Sequence, residues 1–184
     1  PLTAGRLVEI FGGRASATGV SVTQESALSI AAVWACVRVL TDNVATLPIM
    51  LYRRLDGGGK ERATDHPLYT LLHDEPNPWQ SPFVFKEVLM GHLLLWGNAY
   101  AEIVRDKAGQ PIALWPLRPP DVQRIQRTAA GELLYSYRVP STSATGAGPK
   151  AGELVEIPQR NMFHLRGLSS DGVIGYSPIT LHRE

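Results

Sequence analysis

The sequence predicts an α+β protein in which amphipathic helices in the N-terminal half are followed by an antiparallel β meander. Apolar residues recur at spacings of three and four after Ser26 and again after Ser81, as they do on one side of a helix. After Gly97 the pattern changes to the alternation of strands. Because the helices precede the strands and do not alternate with them, the order favours α+β over a parallel α/β sheet.

The N-terminal segment has two parts. Residues 1–22 are rich in Gly, Ala, Ser and Thr and have no sustained period, which predicts a flexible arm. From Ser26 the spacing predicts the longest helix of the chain, and Pro48 ends it. Cys36 lies in the middle of this helix, where a lone thiol is expected to be a small buried hydrophobe. One stripe of this amphipathic helix consists of Ile30, Val33, Val37, Leu40, Val44 and Leu47.

Two further helices are indicated by their end signals. Residues 49–54 predict a strand that pairs across the turn at 56–59, and a short helix over 66–73 follows, with Pro67 in its first turn. Ser81 and Pro82 form a cap and first-turn pair for the next helix. That helix ends at Gly97-Asn98, residue types that tolerate a left-handed backbone.

The rest of the chain is predicted to be mainly strands. The alternation places them at 99–105, 112–115, 122–127, 133–139, 154–157 and 162–165. Residues 140–152 are small and polar and predict a mobile loop. Ser177 and Pro178 begin a helix that has hardly started by residue 184, so we expect residues 23–184 to be one domain, truncated at its C-terminus.

Composition limits the classes of protein. A chain of 184 residues with 44% hydrophobic residues can bury one core. Eighteen Lys plus Arg against 17 Asp plus Glu give a net charge of +1, so any DNA contact must be local. The single cysteine excludes an intrachain disulfide. No apolar run reaches membrane-spanning length and no signal peptide is apparent, so we expect a soluble protein in a reducing compartment, with no membrane partner.

Catalytic motifs are weak throughout. The phosphate-binding Gly-Lys-Ser/Thr loop, the Gly-x-Ser-x-Gly elbow and the His-x-x-x-His pair are all absent from the sequence. We therefore predict no enzyme, no catalytic, cofactor-binding or metal-binding residues, and no cofactor. Asp65-His66 and His73-Asp74-Glu75 are better explained as helix-capping and solvated groups than as an acid–base cluster. His92 and His164 are expected to be hydrogen-bonded structural groups.

Of the four tryptophans, Trp79 is the candidate interface residue. It lies in the polar turn Pro78-Trp79-Gln80-Ser81, which predicts an exposed ring. The other three are expected at the core or its edge.

Eight short motifs, in order from about residue 23 to the end, are similar to those of the HK97-like family of bacteriophage portal proteins. They are Val33-Trp34-Ala35-Cys36-Val37, Ala45-Thr46-Leu47-Pro48, His66-Pro67-Leu68-Tyr69, Pro76-Asn77-Pro78, Gly97-Asn98-Ala99-Tyr100, Leu114-Trp115-Pro116-Leu117, Phe163-His164-Leu165-Arg166, and Asp171-Gly172 with Gly175-Tyr176-Ser177-Pro178-Ile179.

The resemblance implies a non-enzymatic subunit of a ring, usually dodecameric, at one capsid vertex. Double-stranded DNA passes through such a ring, bound weakly and without sequence preference. Its partners are the major capsid protein, the terminase large subunit and head-tail connector proteins. The location is the virion, or the host cytoplasm during assembly or from a prophage. The resemblance assigns residues 23–184 mainly to the peripheral wing, with stem, tunnel loop and crown following. Two alternatives stay open: a small hydrolase using His66 or His164 with carboxylates, and a non-viral protein-binding module.

Overall fold

The computed structural model describes residues 22–141 and 149–181. Apart from Val22, the predicted arm lies outside the described residues, as do residues 142–148 of the predicted loop and residues 182–184 of the predicted last helix. Within the described ranges the predicted class is confirmed, because helices fill the N-terminal half and antiparallel sheets follow.

The elements are numbered here in chain order. The helices are α1 (Gln24–Leu28), α2 (Ala31–Thr46), α3 (Pro67–Tyr69, continued by a π turn over Thr70–Asp74), α4 (Pro82–Trp96) and α5 (Pro178–Leu181). The strands are β1 (Tyr52–Arg54), β2 (Lys60–Arg62), β3 (Asn98–Arg105), β4 (Pro111–Leu117), β5 (Val122–Arg127), β6 (Leu133–Arg138), β7 (Leu154–Pro158) and β8 (Met162–Arg166).

The strands form three antiparallel sheets. A hairpin pairs β1 with β2, one three-stranded sheet has the order β4-β3-β8, and the other has the order β5-β6-β7. The predicted meander is confirmed for β5 to β7, whereas β8 crosses back to pair with β3. Strand β3 is therefore the centre of its sheet.

Two hydrophobic clusters lie on opposite faces of β3, because successive side chains of a strand point to opposite sides. Ala99 and Ala101 pack under α4, whereas Tyr100 faces the second sheet. The first cluster contains Phe85, Leu89, Ala99, Ala101 and Leu114. The second contains Tyr100, Leu117, Tyr135, Ile157 and Met162.

Helix α4 begins and ends where the sequence predicts. The Ser81 hydroxyl accepts a hydrogen bond from the Val84 N–H at 3.3 Å, and Pro82 occupies the first turn. At the other end Gly97 has φ 72°, in the left-handed region, and its N–H donates to the Leu93 carbonyl at 2.9 Å. Strong local signals thus fix both ends of the helix that supports β3.

Helix α2 differs from its prediction in two ways. The predicted single helix is broken at Ser29 and Ile30, so that α1 is separate. The predicted stripe is not the buried face: α2 buries Thr41 and Ala45, whereas Ile30, Leu40, Val44 and Leu47 are exposed. The physical reason is close helix packing. A Cβ on Gly91 of α4 would lie 3.8 Å from the Thr41 methyl, so small side chains form the contact and the large ones flank it.

Cys36 is exposed, so the expectation of a buried thiol is wrong. It lies away from the Thr41 and Ala45 side of the helix that meets α4. Among the described residues, no helix combines the length and the apolar character needed to cross a membrane.

Candidate functional site

The segment where α4 passes into β3 packs directly against the C-terminal segment, backbone against backbone. The Gly97 carbonyl accepts a hydrogen bond from the Gly167 N–H at 2.8 Å. A Cβ on Gly97 would lie 2.0 Å from the Tyr176 carbonyl oxygen, and one on Gly175 would lie 2.0 Å from the Gly97 carbonyl oxygen. Neither position has room for a side chain, and Gly97 also needs a left-handed backbone.

The Asn98 side chain links these backbone segments by hydrogen bonds. Its side-chain nitrogen donates to the Gly175 carbonyl at 2.9 Å and to the Trp96 carbonyl at 3.2 Å. Its side-chain oxygen accepts from the Gly175 N–H at 2.8 Å and from His164 Nε2 at 3.1 Å. Both donors and both acceptor sites of this buried amide are therefore used.

His164 is the next member of the network, and its prediction as a hydrogen-bonded structural group is confirmed. Because Asn98 Oδ1 can only accept, His164 carries its proton on Nε2, and Nδ1 accepts from the Tyr135 hydroxyl at 3.3 Å. The imidazole also lies against the Tyr100 ring, with 4.4 Å between centroids. Burial lowers the pKa of His164 to about 4, so that the ring is neutral at pH 7.

The Ser177 hydroxyl makes hydrogen bonds to residues of three helices, α1, α4 and α5. Its hydroxyl donates to the Leu95 carbonyl at 2.6 Å and accepts from the Thr180 N–H at 3.1 Å, which confirms its predicted capping role. Gln24 of α1 donates to the same hydroxyl at 3.1 Å. We call Gly97, Asn98, His164, Gly175 and Ser177 the junction. Three of the motifs noted in the sequence meet here, so their first role is to hold distant parts of the chain together.

Two further motifs, Pro76-Asn77-Pro78 and Leu114-Trp115-Pro116-Leu117, contact each other at residues 76–80, below called the Trp79 turn. Pro76 and Asn77 are fully buried. The Asn77 side chain donates to the Leu114 carbonyl at 2.8 Å and accepts from the backbone N–H groups of Trp79 and Gln80, each at 3.0 Å. The Leu114 N–H donates back to the Pro76 carbonyl at 2.7 Å. The turn is thus fixed to the edge of β4.

Trp79 projects from this fixed turn and is 84% exposed, which confirms the predicted exposure. The ring makes an edge contact with Trp115, with 4.9 Å between centroids and 78° between planes. A large aromatic side chain on a rigid backbone loses little entropy when it is covered, which favours a protein contact. Trp34 contradicts its prediction, because it is 49% exposed and stacks under Arg38.

The outward flank of α2 is the second open apolar surface. Leu40, Val44 and Leu47 follow one another at helical spacings of four and three, and Ile49 continues the row beyond the helix. We call these four residues the α2 ridge. Sequence reasoning placed Leu40, Val44 and Leu47 on one helical stripe and Ile49 in a strand, but could not tell that α4 leaves them uncovered.

The histidines proposed for hydrolysis belong to separate networks. His66 caps α3, its Nδ1 accepting from the Leu68 N–H at 3.2 Å, and His73 Nδ1 lies 2.7 Å from Asp74 Oδ1. His164 is engaged at the junction. In the part of the chain that the structure describes, no three His, Cys, Asp or Glu residues are grouped to hold a metal. Among the described residues neither His66 nor His164 hydrogen-bonds to a carboxylate, as the hydrolase alternative requires.

His92 was expected to be hydrogen-bonded, but its buried Nδ1 has no hydrogen-bond partner among the described residues. The ring packs edge-on against Trp96, with 5.7 Å between centroids. Burial lowers the pKa of His92 to about 4, which keeps it neutral. It is a packing residue of α4.

Together the described residues define a class: an α+β domain in which a saturated interior junction lies beneath exposed aromatic and apolar side chains. The family model for phage portal proteins matches residues 31–184 of the sequence. The chain belongs to the phage portal protein family.

Two relatives illustrate the match. The chain is 29% identical over 160 residues to the portal protein of Enterobacteria phage HK97, covering 86% of the chain and 35% of that protein. It is 29% identical over 177 residues to the probable portal protein of Streptomyces phage phiC31, covering 94% of the chain and 36% of the relative. The chain thus spans about a third of the length of these relatives.

Solved structures share the fold. The neck of an empty gene transfer agent (GTA) particle computed with C6 symmetry contains a chain with a TM-score of 0.67 at 23% identity, covering 97% of this chain and 46% of that one. A neck of a native GTA particle computed with C12 symmetry contains one with a TM-score of 0.55 at 20% identity, covering 81% and 35% respectively. These likenesses show that most of the chain shares its fold with chains of GTA particle necks.

Proposed function

We propose that this chain forms the peripheral wing part of a phage portal protein. In this proposal it is a non-enzymatic subunit of the ring at one capsid vertex through which double-stranded DNA is packaged and ejected. The observation that carries the proposal is the portal family match over residues 31–184. The fold likeness to neck structures computed with C6 and C12 symmetry supports the ring.

Residues 23–184 would then be the wing domain. Stem, tunnel loop and crown would belong to the remaining length of a full portal protein. The proposed partners are the major capsid protein, the terminase large subunit and head-tail connector proteins, in the virion or in the host cytoplasm during assembly. A net charge of +1 is compatible with DNA that slides past without being held tightly.

The proposal is tested by cryo-electron microscopy of a full-length portal protein that contains this sequence. We expect a closed ring with a central pore and these 184 residues at its periphery. A purified full-length protein that stays monomeric, or that turns over ester, peptide or phosphate substrates, would overturn it.

Within such a ring, we propose that Trp79 contacts a neighbouring copy of the chain. Heterologous head-to-tail contacts close a ring only when the angle between subunits is fixed, and a rigid anchor suits that requirement. Two features support Trp79 in this role: Asn77 and Leu114 fix its turn, and 84% of the side chain is open.

Alanine at Trp79 should reduce ring formation by the full-length protein, measured as the ring fraction in mass photometry, while the circular dichroism spectrum is unchanged. Trp34→Ala is the matched control, since it removes another exposed indole from a different surface. An unchanged ring fraction for Trp79→Ala would reject the contact, and an equal loss in both variants would assign the effect to general apolar surface.

A further inference from the structure

The β1–β2 hairpin separates charge between its two faces. All six strand residues are exposed, and the register pairs Tyr52 with Arg62, Arg53 with Glu61, and Arg54 with Lys60. Residues directly opposite in an antiparallel pair share a face, and so do residues two apart on one strand. One face therefore carries Tyr52, Arg54, Lys60 and Arg62, and the other carries Arg53 and Glu61.

The acidic groups near the hairpin strands lie on the Arg53 face, where both pair with Arg53. Arg53 is 2.7 Å from Asp65 and 3.3 Å from Glu61. The hydrogen bond from Arg53 lowers the pKa of Asp65. The pairing fixes the base of the hairpin to the segment that precedes α3.

The opposite face has three cations and no strand carboxylate; below it is called the cationic face. Arg54 and Lys60 are directly opposed, an arrangement in which like charges repel. Among the described residues no ion pair joins Arg54, Lys60 or Arg62 to a carboxylate. Lys60 lies over the Tyr52 ring at 4.7 Å. Tyr52, Arg54, Gly59 and Lys60 line an open depression of about 450 Å³.

We propose that the cationic face binds the phosphate backbone of double-stranded DNA. Cations two residues apart on a strand are about 6.8 Å apart, and cross-strand neighbours about 4.8 Å. A duplex presents one phosphate charge per ~1.7 Å of axis, so it can neutralise all three cations at once. Three glycines at 57–59 leave the hairpin tip with few side chains that would keep a rod-like polymer away, and Asp56 is the tip's one acid.

This chemistry reads no base sequence and depends steeply on salt, as expected of phosphate contacts. The identity of the nucleic acid rests on the proposed portal function, in which the duplex is always present. The binding face itself rests only on the hairpin.

The test uses the 184-residue chain and a fluorescein-labelled 25-base-pair duplex of mixed sequence, with anisotropy measured between 50 and 200 mM salt. The variant is Arg54→Gln/Lys60→Gln/Arg62→Gln. The control Arg124→Gln/Arg138→Gln/Arg160→Gln removes three exposed positive charges elsewhere. We expect at least tenfold weaker binding for the hairpin variant. Its slope of log affinity against log salt should fall by about 2.7, since each phosphate contact contributes ~0.9. The control should keep the slope of the unmodified chain.

Equal losses in the two variants would overturn the proposal, because binding would then follow net charge alone. Tighter binding of a polyglutamate peptide than of the duplex, at an equal concentration of charge, would overturn it in favour of an acidic protein partner. Circular dichroism shows whether each variant is folded. A second variant, Arg54→Glu alone, should also weaken binding to the duplex. If the full-length protein closes into a ring while the hairpin variant binds DNA normally, this inference fails and the proposed function stands.

Discussion

The junction and the β1–β2 hairpin are opposites in their use of polar groups. At the junction Asn98 makes four hydrogen bonds inside the protein, and glycines bring three backbone segments into contact. On the hairpin the side chains of Arg54, Lys60 and Arg62 point outward, with like charges opposed. The first region uses polarity to specify the fold, whereas the second keeps it available for another molecule. Mutations in the two regions should therefore have separate effects.

The largest effect on stability is expected for Gly175→Ala. The added methyl would lie 2.0 Å from the Gly97 carbonyl and 2.8 Å from the Gly167 nitrogen, and backbone cannot move aside as a flexible side chain can. We expect a loss of about 3 kcal/mol or more, measured by urea unfolding. Gly57→Ala in the hairpin is the control, since nothing lies within 4 Å of its Cβ, and it should be nearly neutral. If Gly175→Ala and Gly57→Ala lose comparable free energies of unfolding, the junction is no more sensitive to an added methyl than the hairpin is.

The next effect is expected for Asn98→Ala, which leaves the N–H and carbonyl of Gly175 without their side-chain partners. Each unsatisfied buried group costs about 1–3 kcal/mol, so the two groups together predict a loss of at least about 2 kcal/mol in denaturant unfolding. Arg54→Gln should unfold like the unmodified chain. If Asn98→Ala loses less than about 1 kcal/mol, the amide is not the main tie of the junction.

Acid should lower the stability that His164 gives to the junction. Burial lowers the folded pKa of His164 from 6.5 to about 4, so the unfolded chain binds more protons between these values. Stability is then complete above pH 6.5 and falls as the pH drops towards 4. The urea midpoint should decrease over this window, and His164→Gln should reduce the slope.

His92 provides the internal control for that experiment, because burial also lowers its pKa to about 4. The double variant His92→Gln/His164→Gln should lose more of the pH dependence than either single variant. If the urea midpoint of the double variant depends on pH as steeply as that of the unmodified chain, the acid sensitivity comes from carboxylates.

The smallest effect is expected on the α2 ridge. Leu40 and Leu47 are 48% and 63% exposed, so Leu40→Gln/Leu47→Gln should change the free energy of unfolding by no more than about 0.5 kcal/mol per site. The comparison is Ala45→Gln, which places a polar chain against α4 and should cost several times more. Thermal unfolding of the two variants distinguishes an open surface from a core.

Short-range features could be predicted from the sequence. Ser81-Pro82 and Gly97 give both ends of α4, because caps depend on neighbouring residues, and the polar turn around Trp79 indicates its exposure. Burial on α2 could not be predicted, since it depends on where another helix approaches. Gly91 against Thr41 decides that Leu40, Val44 and Cys36 are open.

Long-range pairing was also beyond the sequence pattern. The alternation around 162–165 indicates a strand but not that it pairs with β3, and no local signal joins Asn98 to Gly175. The cationic face was missed for a related reason. Tyr52 and Arg54 on one strand, and Lys60 and Arg62 on the other, have the period of two, but only the register places them together. That register follows from the turn at 56–59.

The position of β3 has a consequence for synthesis on the ribosome. His164 and Asn98 are 66 positions apart, so β3 leaves the ribosome long before β8 exists. At 5–20 residues per second, one edge of the central strand stays unpaired for about 3–13 s in every nascent chain. An open strand edge next to exposed apolar side chains is a site for aggregation, so translation speed and holding chaperones should influence the soluble yield more than the stability of the finished fold does.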